Sequence, residues 1–341
     1  MSIGPLGQNL IFLVSQPRAG STLLQRILGS HPDIHTVSEP WLMLPPLRLL
    51  QVSEYTDQHS AVIAQKALRG FLQAFPDGED RYIEGVRKMY KRLYEHALAV
   101  SGKCRFLDKT PRYYLIIRQL YRTFPEARYI ILLRNPLAIL CSTYKTWAHN
   151  ALASPDHQLD LTRAPHLLLE GIELLKDHVT VVHYEQLTRN PKEEIERLCR
   201  SFDISFDPSI LEYGQHDLPR WELGDKRVYD YKRPMTQVAT EWTQTLSDPQ
   251  AWRMAAEYLD LLGEETIEQM GYSYSESRRT LAEHQPHWAQ LWFTFSMTWL
   301  LRVSRKECTG LEHRIVRLIC RLRQRSGPPQ SIPQASRPDS R

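Results

Sequence analysis

Short apolar runs that alternate with amphipathic helical segments are the feature that most limits the fold of this 341-residue chain. The clearest run is Tyr129–Leu133, with five consecutive apolar residues. Such a run is typical of a strand buried on both faces of a parallel sheet. Four further strands are predicted along the chain, at Leu10–Val14, Ile34–Val37, Arg105–Leu107 and Val179–Val182. The alternation predicts an α/β fold in which a parallel β-sheet is flanked by helices.

Three of the predicted helices begin in the same way, with a polar residue followed by proline. The pairs are Thr110-Pro111, Asn135-Pro136 and Asn190-Pro191. Asn and Thr side chains accept hydrogen bonds from the free N–H groups of a first helical turn, and proline is favoured at the first helical position. These pairs therefore predict where the chain passes from a strand region into a helix.

Charge and cysteine content narrow the class of protein. The formal net charge is only +4 at pH 7, which is too small to predict a nucleic-acid partner. The five cysteines are dispersed, and none stands at a spacing typical of metal ligands. Residues 1–9 lack the basic segment of a secretory leader. We therefore expect free thiols in a reducing compartment, a cytoplasmic location and no bound metal.

The segment between the first predicted strand and the first helix has the composition of an anion-binding loop. It reads Ser15-Gln16-Pro17-Arg18-Ala19-Gly20-Ser21-Thr22. A phosphate or sulfate at a helix N-terminus meets free N–H groups and the positive end of the helix dipole. Gly20 lets the backbone approach the anion, and Arg18 supplies a permanently charged fork. Ser21 and Thr22 add hydroxyl donors, although the alternative is an ordinary turn that one of them caps.

The loop differs from the Walker A pattern of ATP- and GTP-binding proteins. That pattern, GxxxxGK[ST], requires a Gly-Lys pair, and Ala19-Gly20-Ser21 stands here instead. A P-loop kinase or nucleotide hydrolase is therefore the second hypothesis for this chain. A non-catalytic protein that binds anions or docks on a membrane is the third, and it would require Glu39 and Lys109 to point away from the loop.

Residues 17–22 resemble the 5′-phosphosulfate loop of the sulfotransferases that use 3′-phosphoadenosine 5′-phosphosulfate (PAPS). The bacterial and tyrosylprotein branch of that family has Pro-Arg-Ser-Gly-Thr/Ser-Thr, so Ala19 replaces a serine and removes one hydroxyl. The resemblance covers about residues 9 to 274. It implies PAPS as the sulfuryl donor, transfer to an acceptor hydroxyl and no metal. It also implies that five residues bind PAPS, namely Arg18, Ala19, Gly20, Ser21 and Thr22. Arg18 is in addition a candidate catalytic residue.

PAPS carries a separate 3′-phosphate, and a second candidate anion site follows the most apolar strand. Arg134 stands just after that strand, and Ser142 lies eight residues further on. Ligands of open α/β sheets bind beyond the carboxyl ends of the strands, where both Arg134 and the phosphate loop are predicted to lie. An Arg and a Ser at this spacing resemble the family's 3′-phosphate motif. The alternative is an Arg paired with a carboxylate and a surface Ser.

A weaker resemblance lies further along the chain, at Gly224-Asp225-Lys226-Arg227. In the family, a loop with a basic pair closes on the cofactor near the 3′-phosphate. The glycine that usually follows the pair is replaced here by Val228. Lys226 and Arg227 are therefore candidate nucleotide ligands, with a solvated charge run as the alternative.

Glu39 is the candidate general base. It follows the predicted strand Ile34–Val37, and Pro40 ends that strand. His31-Pro32 and then Glu39 stand in the order and spacing that resemble the segment before the catalytic glutamate of tyrosylprotein sulfotransferases, and this resemblance implies its role. The alternative is a carboxylate that only orients Arg18 or Lys109.

Lys109 is the second candidate for chemistry. It precedes a predicted helix start, where its charge opposes the helix dipole. The family's Lys-Thr-Pro segment resembles Lys109-Thr110-Pro111 and implies contact with the transferred group or the leaving oxygen. A solvent-facing lysine beside Asp108 is the alternative. His35 and His183 remain alternative bases.

We divide the chain into a sulfotransferase domain at 1–274, an amphipathic helical extension at 275–325 and a disordered tail at 326–341. The helical insertion at 41–99 is expected to line the pocket of a small-molecule or lipid acceptor. Its candidate lining residues are Trp41, Met43, Met89 and Tyr90. The aromatic and cationic segment 287–325 predicts contact with an anionic membrane surface, with a partner or with the protein's own core.

Overall fold

The computed structural model describes residues 2–51, 59–151, 155–216, 218–219 and 221–286. The predicted membrane-contact segment 287–325 and the predicted tail 326–341 lie outside these residues. In the described part of the chain, no helix is both long enough and apolar enough to cross a membrane.

A parallel sheet forms the centre of the described chain, as the sequence predicts. Its strands are β1 (Leu10–Ser15), β2 (Ile34–Thr36), β3 (Arg105–Lys109), β4 (Arg128–Leu133) and β5 (Val179–His183). Their order across the sheet is β2-β3-β1-β4-β5, and every neighbouring pair is parallel. β3 runs two residues further than predicted, because its pairing with β1 continues to Leu13 opposite Lys109.

Helices and 3₁₀ segments connect the strands. The α-helices are α1 (Ser21–Gly29), α2 (Leu44–Arg48), α3 (His59–Gln73), α4 (Gly78–Ser101), α5 (Ile117–Thr123), α6 (Pro136–Ala151), α7 (Pro155–Thr162), α8 (Ala164–Leu175), α9 (Tyr184–Arg189), α10 (Pro191–Ser201), α11 (Pro249–Gln269) and α12 (Tyr274–Glu283). The 3₁₀ segments are Pro111–Ile116, Lys176–His178, Pro208–Gln215, Lys226–Asp230, Thr236–Ala239 and Glu241–Ser247. The predicted insertion therefore contributes α2, α3 and most of α4.

The predicted proline starts are correct, but their caps differ. α6 and α10 begin at Pro136 and Pro191, and a 3₁₀ segment begins at Pro111. Asn135 caps α6, because its side-chain oxygen accepts from the backbone N–H groups of the second and third helical residues. Thr110 does not cap the segment that follows it, and its hydroxyl donates to Asp108 instead.

The sheet separates two apolar cores. Side chains of a strand alternate between its faces, so Ile11 and Leu13 pack on one side while Leu10, Phe12 and Val14 pack on the other. Residues of α1, α6, α10 and α11 cover the first face, and residues of α4, α5 and α8 cover the second. Because both faces are covered, the functional groups must lie at an edge formed by the strand ends.

The last described helix packs on the main domain. α12 begins at Tyr274, so the predicted division between residues 274 and 275 falls at the first turn of this helix. Leu281 is buried, and its carbonyl accepts from the indole N–H of Trp252 in α11 at 2.7 Å. The division into domains stays a prediction, but a truncation that preserves this packing must follow residue 286.

Candidate active site

Each strand of the sheet delivers one functional candidate at its carboxyl end. Arg18 follows β1, Glu39 follows β2, Lys109 is the last residue of β3, Arg134 follows β4 and Tyr184 follows β5. Since the strands are parallel, these five residues lie along the same edge of the sheet. The strand order places Glu39 and Lys109 on one side of the phosphate loop, and Arg134 and Tyr184 on the other.

The phosphate loop turns sharply between β1 and α1. Arg18 and Gly20 both have positive φ, at 71° and 98°. Gly20 precedes the first turn of α1, and no side chain caps that turn. The predicted alternative, a cap by Ser21 or Thr22, is therefore wrong, and the side chains of both residues line a cavity. An uncapped helix N-terminus beside a cavity is a site for an anion.

Tyr184 restricts the loop to glycine. A side chain at Gly20 would approach the Tyr184 ring to 2.3 Å, which no real contact tolerates. Tyr184 also makes a favourable cation–π contact with Arg134, whose guanidinium carbon lies 4.4 Å from the centre of the Tyr184 ring. The Tyr184 ring therefore lies next to both Gly20 of the phosphate loop and the guanidinium of Arg134. The sequence analysis missed it as a site residue, although its place directly after β5 matches the place of Arg134 after β4.

Arg134 and Ser142 lie beside the phosphate loop, and both contact Arg18. Arg134 donates to the carbonyl oxygen of Arg18 at 3.0 Å, and the Nε of Arg18 donates to the hydroxyl of Ser142 at 3.2 Å. The Nε of Arg134 is buried and has no hydrogen-bond partner among the described residues. A buried donor without a partner is costly, and a bound anion would satisfy it.

Asp225 is the carboxylate that faces these arginines, and the sequence analysis did not single it out. It accepts from Arg18 at 2.9 Å and from Arg227 at 3.1 Å, and its backbone N–H donates to Thr22. Burial opposes ionisation of Asp225, but the hydrogen bonds and charges of Arg227 and Arg18 prevail and lower its pKa. Arg227 lines the cavity, whereas Lys226 is not among the cavity residues, and both residues are exposed.

Burial and two neighbouring arginines affect the pKa of Arg18 in the phosphate loop. Burial lowers the pKa of Arg18, and Arg227 and Arg134 lower it further, while Asp225 opposes the change. Asp225 thus supplies negative charge at the position where the loop would bind an anion.

Glu39 and Lys109 form a buried ion pair on the other side of the loop. The ammonium of Lys109 is 2.6 Å from one carboxylate oxygen of Glu39, and the indole N–H of Trp41 donates to the other oxygen at 3.2 Å. Lys109 is fully buried, which rules out the predicted solvent-facing alternative, while 13% of the Glu39 side chain is exposed. Burial lowers the pKa of Lys109, and the charge of Glu39 opposes this change.

The two histidines proposed as alternative bases lie elsewhere. The ring of His183 is 3.0 Å from the carbonyl oxygen of Met270. His35 packs edge-on against Phe106, and burial lowers its pKa. Neither histidine is among the residues that line the cavity.

A cavity of about 300 Å³ joins the two sides of the site. Its lining includes Arg18, Glu39, Arg134, Ser142 and Arg227. Aromatic side chains complete the wall, namely Trp41, Trp147, Tyr184, Tyr213, Tyr231 and Trp242. A cavity with an apolar wall and a few convergent polar groups is typical of a site for a small ligand.

Only part of the predicted acceptor lining is found at this cavity. Trp41 lines it, as predicted. Met43 instead lies fully buried in the second apolar core, and Met89 is exposed on α4. Tyr90 packs at the margin of the same core and is not among the cavity residues.

Metal ligands are not concentrated here. Among the residues that the structure describes, no group of three or more His, Cys, Asp or Glu side chains could hold a metal ion.

Ala19, the remaining loop candidate, is buried, and its backbone N–H donates to the carbonyl oxygen of Gln16 within the turn.

An open parallel sheet with an uncapped helix N-terminus and clustered arginines at its carboxyl edge is typical of proteins that bind phosphate or nucleotide ligands. A model described as "Sulfotransferase family" matches residues 10–208 of the chain, which is more than half of its length. The chain belongs to the sulfotransferase family.

Two relatives illustrate the similarity in sequence. Nodulation protein NoeE of Sinorhizobium fredii is 30% identical over an alignment of 292 positions, which covers 78% of this chain and 66% of that protein. Protein-tyrosine sulfotransferase 1 of Danio rerio is 24% identical over an alignment of 215 positions, which covers 60% of this chain and 56% of that protein. The chain thus spans slightly less than two thirds of NoeE and little more than half of the zebrafish protein.

Solved structures with related folds include two bacterial proteins. The sulfotransferase domain from the Synechococcus PCC 7002 olefin synthase is 22% identical, with a TM-score of 0.49, 68% of this chain covered and 86% of that chain covered. A sulfotransferase from Alicyclobacillus acidocaldarius is 17% identical, with a TM-score of 0.45 and corresponding coverages of 79% and 98%.

Asp225→Asn should tighten the binding of 3′-phosphoadenosine 5′-phosphate (PAP), the nucleotide product of PAPS. Asparagine keeps the capping hydrogen bond to the N–H of Arg227 but removes the negative charge beside Arg18. Repulsion between unit charges about 4 Å apart is worth about 1 kcal/mol in water, so we expect about fivefold tighter binding. Calorimetry measures the change, and Asp225→Glu, which keeps the charge, is the control. Weaker binding by Asp225→Asn would contradict this account and assign Asp225 to the alignment of the arginines.

Proposed function

We propose that this sulfotransferase transfers a sulfuryl group from PAPS to a hydroxyl of a small-molecule or lipid acceptor. The observation that carries the proposal is the placement of Arg18, Arg134 and Glu39 on a single cavity. Arg18 and Arg134 supply cationic groups, and Glu39 lies on the other side of the phosphate loop. PAPS has two separate anionic groups and a reacting sulfur, which match this division.

The phosphate loop is assigned to the 5′-phosphosulfate. Its groups are the N–H donors at the start of α1, the hydroxyls of Ser21 and Thr22, and the guanidinium of Arg18. Sulfuryl transfer, like phosphoryl transfer, depends mainly on positioning and on stabilising charge at the oxygens. Arg18 and the helix N-terminus meet that requirement together, because both direct positive charge to the same place.

Arg134, Ser142 and Arg227 are assigned to the 3′-phosphate. The unpartnered Nε of Arg134 supports this role, as does the place of Ser142 and Arg227 on the same cavity. Lys226 remains a weaker candidate, since it is not among the residues that line the cavity.

Glu39 is proposed as the base that accepts the acceptor's proton. It lines the cavity, and its ion pair with Lys109 fixes the direction of the carboxylate. Each carboxylate oxygen has lone pairs beyond those used by Lys109 and Trp41, so Glu39 can still accept a proton. Lys109 is proposed to contact the transferred group or the leaving oxygen, where negative charge develops during transfer.

Two other functions fit the site less well. A P-loop kinase needs a lysine in the loop, and Ser21 occupies that position. A non-catalytic anion-binding protein gives no reason for a buried Glu39–Lys109 pair next to the phosphate loop.

Arg134→Ala should weaken PAP more than AMP, which lacks the 3′-phosphate. A charge-assisted hydrogen bond contributes roughly 1.5–3 kcal/mol, so PAP should bind about 10- to 150-fold more weakly. Calorimetry with both nucleotides measures the difference. Arg128→Ala, which changes the arginine at the other end of β4, is the matched control and should leave both affinities unchanged. Equal losses for the two nucleotides, or an unfolded variant, would make Arg134 a structural residue.

Glu39→Gln should nearly abolish turnover while PAP binding stays within about threefold of wild type, because a general base contributes roughly 10²–10⁴-fold to rate. Turnover is measured with ³⁵S-labelled PAPS and a panel that contains a phenol, a sugar and a tyrosine peptide, and mass spectrometry identifies the product. If Glu39→Gln retains turnover within a few-fold, Glu39 is not the base, and His35→Gln and His183→Gln become the variants to test.

The segment 287–325 is proposed to attach the enzyme to an anionic membrane surface. Its sequence combines tryptophan and phenylalanine with arginine and lysine, which suits the headgroup region of a bilayer. Each cation near an anionic leaflet contributes about 1 kcal/mol. Flotation with phosphatidylserine liposomes at low and high salt should recover the full chain at low salt only. A truncation after Pro286, which keeps α12, is the control, and equal recovery of both proteins would contradict the proposal.

A further inference from the structure

Directly before Lys109, a buried carboxylate accepts hydrogen bonds from three hydroxyl groups. Asp108 is fully buried at the end of β3. One of its oxygens accepts from Tyr94 at 2.6 Å and from Tyr113 at 3.1 Å, and the other accepts from Thr110 at 3.1 Å. Strand geometry places Asp108 on the face of the sheet opposite to Lys109, so this carboxylate lies behind the catalytic candidates.

Two of these hydroxyls also accept a hydrogen bond from a backbone N–H group. The oxygen of Thr110 accepts from the backbone N–H of Trp41 at 3.4 Å, and the oxygen of Tyr113 accepts from the backbone N–H of Met43 at 3.0 Å. A hydroxyl that donates to Asp108 must present its lone pairs to these N–H groups. Asp108 therefore sets the direction of both hydroxyls, and they hold the chain just after Glu39.

That short chain segment also contains the indole that contacts the proposed base. Trp41 has a positive φ of 53°, and its indole N–H donates to Glu39. A bulky residue in the left-handed region is strained and persists only where the surroundings hold it. The bonds from Thr110 and Tyr113 supply such restraints.

We propose that Asp108 is a positioning residue that sets the geometry of the Glu39–Lys109 pair through the hydroxyls of Thr110 and Tyr113. The inference rests on the proposed function, because it takes Glu39 as the base. Burial raises the pKa of Asp108 to about 6, and the three hydroxyls and Lys109 oppose this rise. At neutral pH the carboxylate is therefore mostly ionised and can accept all three hydrogen bonds.

The decisive comparison uses two tyrosines that donate to the same oxygen of Asp108. Tyr113 also accepts from the N–H of Met43, whereas no backbone N–H in the described part of the chain donates to the hydroxyl of Tyr94. Tyr113→Phe should raise the amide exchange rate of Met43 about tenfold, as expected for the loss of one buried hydrogen bond. It should lower kcat with labelled PAPS by on the order of 10²-fold, since small misplacements of catalytic groups are costly.

Tyr94→Phe is the matched control. It removes a hydrogen bond to Asp108 and should lower Tm, but it should leave the exchange of Met43 and kcat close to wild type. If both variants change exchange and kcat equally, Asp108 is a general stability residue and the inference is overturned.

A second pair tests the other hydroxyl. Thr110→Val removes it, and Thr110→Ser keeps it. Thr110→Ser should retain kcat, while Thr110→Val should lower kcat without changing the KM for PAPS. Equal kcat for the two variants would contradict the inference.

Asp108→Asn tests the carboxylate itself. It should lower kcat on the order of 10²-fold with PAP affinity unchanged. Should it fail to fold, the tyrosine pair still decides the question. Failure of the wild-type protein to bind PAP would overturn the proposed function, whereas the amide exchange of Met43 tests the hold of Asp108 on the loop independently of any acceptor.

Discussion

Parallel alignment is the constraint on which the rest of this structure depends. Every neighbouring pair in the sheet is parallel, so all strands end at one edge, and the chain must return across the sheet to begin the next strand. The edge thereby collects residues that are far apart in sequence, from Arg18 to Tyr184. β1 lies at the centre of the sheet, so the phosphate loop lies between the proposed catalytic pair and the proposed nucleotide ligands.

Carboxylates compensate the charges of two cations at this edge, Lys109 and Arg18. Lys109 would be costly to bury by itself, and Glu39 compensates its charge at 2.6 Å. Asp225 does the same for Arg18 and Arg227. In both pairs the compensating carboxylate lines the cavity, so the groups that stabilise the protein are also those that meet a ligand.

The sequence predicted the fold well because long-range geometry follows from a local pattern here. The apolar run Tyr129–Leu133 is typical of a strand buried on both faces, and Asn135-Pro136 is typical of the start of the following helix. The predicted residues at strand ends, Arg18, Glu39 and Arg134, were found for the same reason. The pairs formed between them could not be predicted, because the contact of Asp225 with Arg18 spans 207 residues of sequence. The hydrogen bonds from hydroxyl groups to Asp108 could not be predicted either, because one donor, Tyr94, lies on a helix within the insertion.

Calorimetry with PAP and ATP shows whether the cavity binds a nucleotide with separate 5′ and 3′ anionic groups. PAP should bind far more tightly than ATP, and Mg²⁺ should not change the affinity for PAP. Tighter binding of ATP, above all if it depends on Mg²⁺, would contradict the claim and favour a kinase or nucleotide hydrolase.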